Sequence, residues 1–447
     1  MVSVLGRRLM QAATCLSLFV GWDCALAPAV AAGQPPATPA DFCPPSPVRT
    51  DAMDNPSKHA WDLFATLVQP AVATDPKSRG VPDCSRRPGA PGTTSVWETW
   101  KLADSEVFKD DGSYPADWTD ANDERHLFGQ APGQQPGFHE QAALSARFNT
   151  SGEGVYIGSV GGLGETYMNK ATFDFIRTNC LYSRDGLARY AKAVLDKAVG
   201  PITFPPESIE VKAAWVQFTD AEIGSGVPNN FYSIVLYVKN GQLSSGQSTG
   251  ATKVVFGLQT LHILTKDVPN WFWATFHHKI FAGKPLPSQP GREYPDTAQM
   301  PASLAGTVWE NYKLGGTQVN FVDTTGSPIV LSDAHIENGF VNSSCISCHS
   351  YGGWDKKAAS PRFFNPLNTG LFQIGLPNQE PVPDGAVLAK SVDGTLVPWP
   401  GFPSANLQVT RNNVFDDFVQ TDFVMSIPFR AKPETAGPPP ASCPFQK

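Results

Sequence analysis

What this chain has little of narrows its function. Charge is scarce, 17% of 447 residues, and its 34 Lys and Arg are outnumbered by 41 Asp and Glu, a net charge of −7. No basic stripe runs along it, which excludes nucleic acid and leaves small molecules or other proteins as partners. No segment after the N-terminal region approaches the roughly eighteen uninterrupted apolar residues of a membrane helix, so no later anchor is expected. The Gly158 to Gly164 cluster lacks the Gly-x-Gly-x-x-Gly order and reads as a turn, not a nucleotide loop. Internal repeats are absent. Proline and glycine, by contrast, are abundant at 41 and 39 residues, with 11% aromatics, a mixture that favours short strands and ordered loops over a helical bundle.

Against this background one pentapeptide stands out, Cys345-Ile346-Ser347-Cys348-His349. Cys-x-x-Cys-His is the attachment signature of a c-type haem: each thiol adds across a vinyl group, and the adjacent imidazole becomes the proximal iron ligand. With 8 Cys and 8 His in the chain, the pattern would arise by chance about three times in a thousand. The competing readings are a disulfide with an incidental histidine, or half of a zinc site. The latter wants four ligands, and no second Cys-x-x-Cys exists. One covalent haem c held by Cys345, Cys348 and His349 is therefore expected.

The N-terminus agrees with this chemistry. Arg7-Arg8, an apolar stretch from Leu9 to about Val20, and small residues at 27–32 have the form of a cleaved signal peptide over residues 1–32. The expected address is the periplasm, without a membrane anchor after cleavage. Setting aside Cys15 and Cys24 with the signal and the two motif cysteines leaves Cys43, Cys84, Cys180 and Cys443. They can form two disulfides in three connectivities, of which Cys43 with Cys84 closes the shortest loop, or remain four buried thiols.

The mature chain, 33–447, is expected to be a single α+β body: antiparallel-sheet-rich, with a few helices and long loops, and with the haem segment, about 326–447, packed on it near the C-terminus. A Pro/Ala-rich lead-in runs to about Asn55. A helix then starts at Ser57 as N-cap, carries Ala60, Trp61, Phe64, Leu67 and Val68 at helical spacing, and stops before Pro70. Residues from about 77 to 137 are loop-rich, with Trp97, Trp100 and Trp118 as core anchors. Helical spacing returns between Ala171 and Val199, broken near Ser183 to Gly186. Four strands follow, Ile209 to Trp215, Phe231 to Val238, Lys253 to Leu264 and Trp271 to His278, and their short connections favour antiparallel pairing in a core of about 209–278. Period two places Leu258, Thr260, His262 and Leu264 on one face, and Phe272, Ala274, Phe276 and His278 on one face of the next strand. If those faces coincide, His262 and His278 line one pocket. Alternatively each is an ordinary hydrogen-bonded strand histidine.

The blocks Ala60 to Phe64, Val96 to Lys101, Ile209 to Trp215, Leu261 to Ile263, Trp271 to His278, Leu304 to Trp309 and Ser343 to His349 resemble a family of uncharacterised bacterial cytochrome c family proteins, over nearly the whole mature chain. The resemblance implies a large exported protein with one Cys-x-x-Cys-His near its C-terminal end and an integrated haem-bearing body, but no particular reaction. The chain departs from the family pattern at His277, where an acidic residue is expected, and in a longer segment after His349.

The sixth iron ligand divides the functions. No histidine follows His349, and Met425 is the only methionine beyond it. His278 is the first distal candidate, with His262 as its pocket neighbour; Met425 is the second, and an open site the third. Two protein ligands imply an electron carrier serving a redox partner protein or a small-molecule donor or acceptor. An open distal site beside an imidazole implies a haem enzyme, peroxidase-like or another oxidoreductase, and sensing is a third class.

Overall fold

The computed structural model describes residues 42–72, 75–122, 163–239, 242–282, 298–323, 329–331, 344–362, 388–398, 417–435 and 437–445. The signal-peptide expectation, most of the Gly158 to Gly164 cluster and part of the lead-in lie outside them. By its contacts the chain divides into residues 1–37 and 38–447, and all described residues belong to the second unit.

An antiparallel sheet organises this unit, and the architecture is α+β. The four strands read from sequence are present as β3 (Ile209–Gln217), β4 (Ser233–Lys239), β6 (Thr252–Thr265) and β7 (Phe272–His278). They are joined by β1 (Lys101–Leu102), β2 (Leu163–Met168), β5 (Gln242–Ser244) and β8 (Tyr312–Gln318), so the sheet extends beyond the expected 209–278. β6 is the spine: β3 pairs along one edge, while β4 and then β7 share the other. β8 closes the far side of β7.

One face of the sheet packs an aromatic layer. Helix α1 (Asp51–Asp54) leads into α2 (Pro56–Leu67), whose buried Trp61 and Phe64 meet Phe276 at ring separations of 5.0 and 4.2 Å. This helix starts one residue before the expected cap: Asn55 is the N-cap, because Pro56, with its fixed φ and no N–H to leave unpaired, suits the first helical position. Trp97 and Trp215 stack on the same side, and Trp309 and Tyr232 do likewise. Trp100 is buried as expected, and Trp118 is partly buried.

The other face packs α3 (Lys170–Thr178) and α4 (Arg184–Leu195), capped by Asn169 and Ser183; the break falls at 179–183, just before the expected Ser183 to Gly186, because Ser183 caps the second helix. α5 (Asp220–Gly224) and α6 (Lys279–Ala282) are short connectors. Helix α7 (Cys345–Ser350), which carries the pentapeptide, lies on this second face, as does α8 (Ser426–Arg430): Ile346 and Ile427 are fully buried among Phe173, Leu264 and Trp273. A small sheet follows α7, with β9 (Gly353–Asp355) between β10 (Ser360–Arg362) and β13 (Phe418–Gln420); β11 (Leu388–Lys390) and β12 (Leu396–Pro398) form a separate hairpin.

The disulfides join Cys43 to Cys84 and Cys180 to Cys443, while Cys345 and Cys348 keep their thiols. No described helix is long and apolar enough to cross a membrane.

Candidate functional site

The site is built around α7. Ser344 caps the helix by accepting from the Ser347 amide at 3.1 Å, and the Ile346 amide donates to Gln318 Oε1 at 3.2 Å, tying the first turn to the end of β8. The two thiols are then about one helical turn apart and half-exposed, and the Cys345 thiol donates to the Leu331 carbonyl at 3.4 Å.

His349 is held on two sides. Its ring stands edge-on to Trp273 of β7, with centroids 4.6 Å apart, and its Nδ1–H donates to the Phe423 carbonyl at 2.8 Å. A carbonyl oxygen only accepts, so the proton sits on Nδ1 and the lone pair on Nε2. This is the arrangement of a metal-ligating imidazole, whose second nitrogen is fixed by a backbone carbonyl. Burial lowers the imidazole pKa to about 4; Lys212 and His262 push it the same way, while the bond to Phe423 opposes them. The ring is thus neutral at pH 7, as a ligand must be.

Phe423 arrives from far along the chain. Gly352 and Gly353 make this possible: a Cβ on Gly353 would lie 2.5 Å from the Val419 carbonyl oxygen, so only glycine lets β13 pair so closely with β9. Thr421 N–H continues the pairing to the Gly352 carbonyl at 2.9 Å. The chain then turns through Asp422 and Phe423, both left-handed at φ 51° and 66°. For a bulky residue such as Phe this costs about 1–3 kcal/mol. Asp422 and Phe423 thus form a strained turn.

The distal expectation needs correction. Pairing places Leu264 opposite Trp273 and His262 opposite Thr275, so His262 shares the face of Trp273, while His278 falls on the aromatic face with Phe272 and Phe276. The two imidazoles do not line one pocket. An irregularity in the pairing between β3 and β6, where Gln259 is the extra residue, also moves Leu258 to the opposite face from Leu264. His278 stacks on Phe231 at 3.7 Å; its Nε2–H donates to the Asn230 carbonyl at 2.9 Å, and its Nδ1 accepts from the Ile280 amide at 3.4 Å. Both nitrogens are used, and burial lowers its pKa to about 4. It is a core histidine.

Met425 is the N-cap of α8, its backbone against Gly352 and two residues after Phe423, whose carbonyl serves His349 Nδ1. The histidine whose charge reaches His349 is His262, 6% exposed on β6, opposite Lys212 of β3. Beyond Lys212, Glu210 is buried and accepts from Ser426 Oγ at 2.8 Å, and burial pushes its carboxyl pKa up.

Sequence reasoning missed Lys212 and Trp273 as parts of this setting. The signal for Lys212 was present: a charge inside the apolar run Val211 to Trp215. Among the described residues no group of three His, Cys, Asp or Glu is placed to hold a metal ion. No protein-family model matches the chain, and comparisons with curated proteins and with solved structures likewise find no match.

Proposed function

We propose that the protein is an exported c-type cytochrome that carries one covalent haem and passes electrons to a redox partner. The observation that carries this is the state of His349, whose Nδ1–H is fixed on a carbonyl and whose Nε2 lone pair is available beside two thiols of a single helix. The group fits this donor set: Cys345 and Cys348 would form the thioethers, and His349 Nε2 would be free to hold the iron. When bound, the haem iron supplies the one-electron chemistry. The chain's part would be to anchor it and to keep His349 neutral and oriented by Trp273 and Phe423. Two disulfides support an oxidising compartment, in keeping with export to a periplasm.

The test is a denaturing gel stained for haem-dependent peroxidase activity, on protein produced in a host that matures c-type cytochromes. A stained band in the wild type, lost in Cys345→Ala/Cys348→Ala, is expected. An unstained wild-type band would end the proposal.

A second reading draws on His262 and Lys212 beside His349. If His262 does not ligate iron, an imidazole and an ammonium on that face would suit acid/base work on a small bound molecule such as a peroxide. Optical and paramagnetic spectra in both redox states separate the readings: low-spin iron favours the carrier, and a high-spin centre favours the enzyme.

A further inference from the structure

The turn that serves His349 is itself held from behind. The Asp422 carboxylate accepts from Lys266 Nζ at 2.5 Å through one oxygen and from the Phe204 amide at 2.7 Å through the other, and Lys266 Nζ also donates to the Pro269 carbonyl at 2.7 Å. Lys266 and Pro269 belong to the loop joining β6 to β7, the strand that presents Trp273 to His349. Each side chain of the pair is 9% exposed. Burial works against both charges, and each offsets part of the other's cost. A buried ion pair is a weak source of stability and a good device for fixing one geometry. Here it fixes two left-handed residues, one of them Phe, in the conformation that directs a carbonyl at Nδ1.

We propose that Asp422, locked by Lys266, is a positioning residue for the proximal ligand: it keeps the Phe423 carbonyl on His349 Nδ1 and so sets the electron-donating strength of Nε2 and the redox poise of the centre. The proposal rests on the haem reading above. A firm Nδ1–H···O bond raises the basicity of Nε2 and favours ferric iron, so loosening the turn raises the midpoint potential.

Lys266→Met is the deciding variant. Losing a nearby positive charge would by Coulomb's law lower the potential, whereas freeing the turn raises it. We expect both Asp422→Asn and Lys266→Met to retain the haem stain and to shift the reduction equilibrium in the same direction, toward the ferrous form, by on the order of tenfold, ~59 mV for one electron. Lys266→Arg, which keeps the pair, should hold the wild-type potential. Opposite shifts in the two single variants, or no shift in either, would overturn the proposal. Should Asp422→Asn fail to fold, the sign of the Lys266→Met shift decides alone. Nitrogen NMR of His349 in the haem-free Cys345→Ala/Cys348→Ala chain separates this from failure of the haem reading: a fixed Nδ1–H tautomer that becomes mixed on adding Lys266→Met supports positioning without haem, and an unchanged tautomer contradicts it.

Discussion

The two faces of the sheet put the same residue type to opposite uses. On the aromatic face His278 is stacked on Phe231 and both its nitrogens are occupied by backbone groups. On the other face His349 has one nitrogen fixed by a carbonyl and the second carrying a lone pair. Burial depresses both, to about 4, so titration does not tell them apart. What separates the two is the number of ring nitrogens the fold consumes: both in His278, one in His349.

The comparison can be broken most forcefully through the aromatic layer. Phe64 is fully buried and stacked on Phe276. Phe64→Ala should cost about 3–5 kcal/mol in denaturant unfolding while leaving haem stain per folded protein unchanged. A loss below about 1 kcal/mol would mean that this face is not the scaffold we describe.

Acid sharpens it next. The His278 pKa of about 4 lies below the ordinary histidine value of 6.5, so between these limits the unfolded chain binds a proton that the folded chain refuses. Stability therefore rises with pH across that window and falls as pH drops through it, by up to roughly 3 kcal/mol from this group. His278→Gln should flatten the slope of unfolding free energy against pH between 4 and 6.5. An unchanged slope would remove His278 from the account.

The smallest effect in energy is the most specific in kind. His278→Ala should leave the visible and paramagnetic spectra of the loaded protein as they are, whereas His262→Ala should alter them. If the spectra respond to His278 alone, the assignment of faces is wrong.

Much of this architecture was legible in the sequence. The four central strands and the helix pair interrupted at Ser183 follow from local signals, β-branched and aromatic runs and caps, whereas loop length only favoured Cys43 with Cys84 among pairings the sequence left open. The faces were not legible, because one extra residue at Gln259 reverses the alternation of β6, and strand register is a property of pairs, not of either strand. Nor was the setting of His349. Nothing local in Asp422-Phe423 announces a left-handed turn, which persists because Lys266 and Phe204, 156 and 218 positions away, hold it.

The partner of His349 Nδ1 lies 74 positions beyond it, and the stretch that bears it is fastened by a disulfide from Cys443 back across 263 residues to Cys180. The bond to Nδ1 is therefore non-local and waits on residues well beyond the helix that carries His349. Closing a loop of that separation follows local structure, so the helix that bears the two thiols can form before the stretch that fixes His349 docks on it.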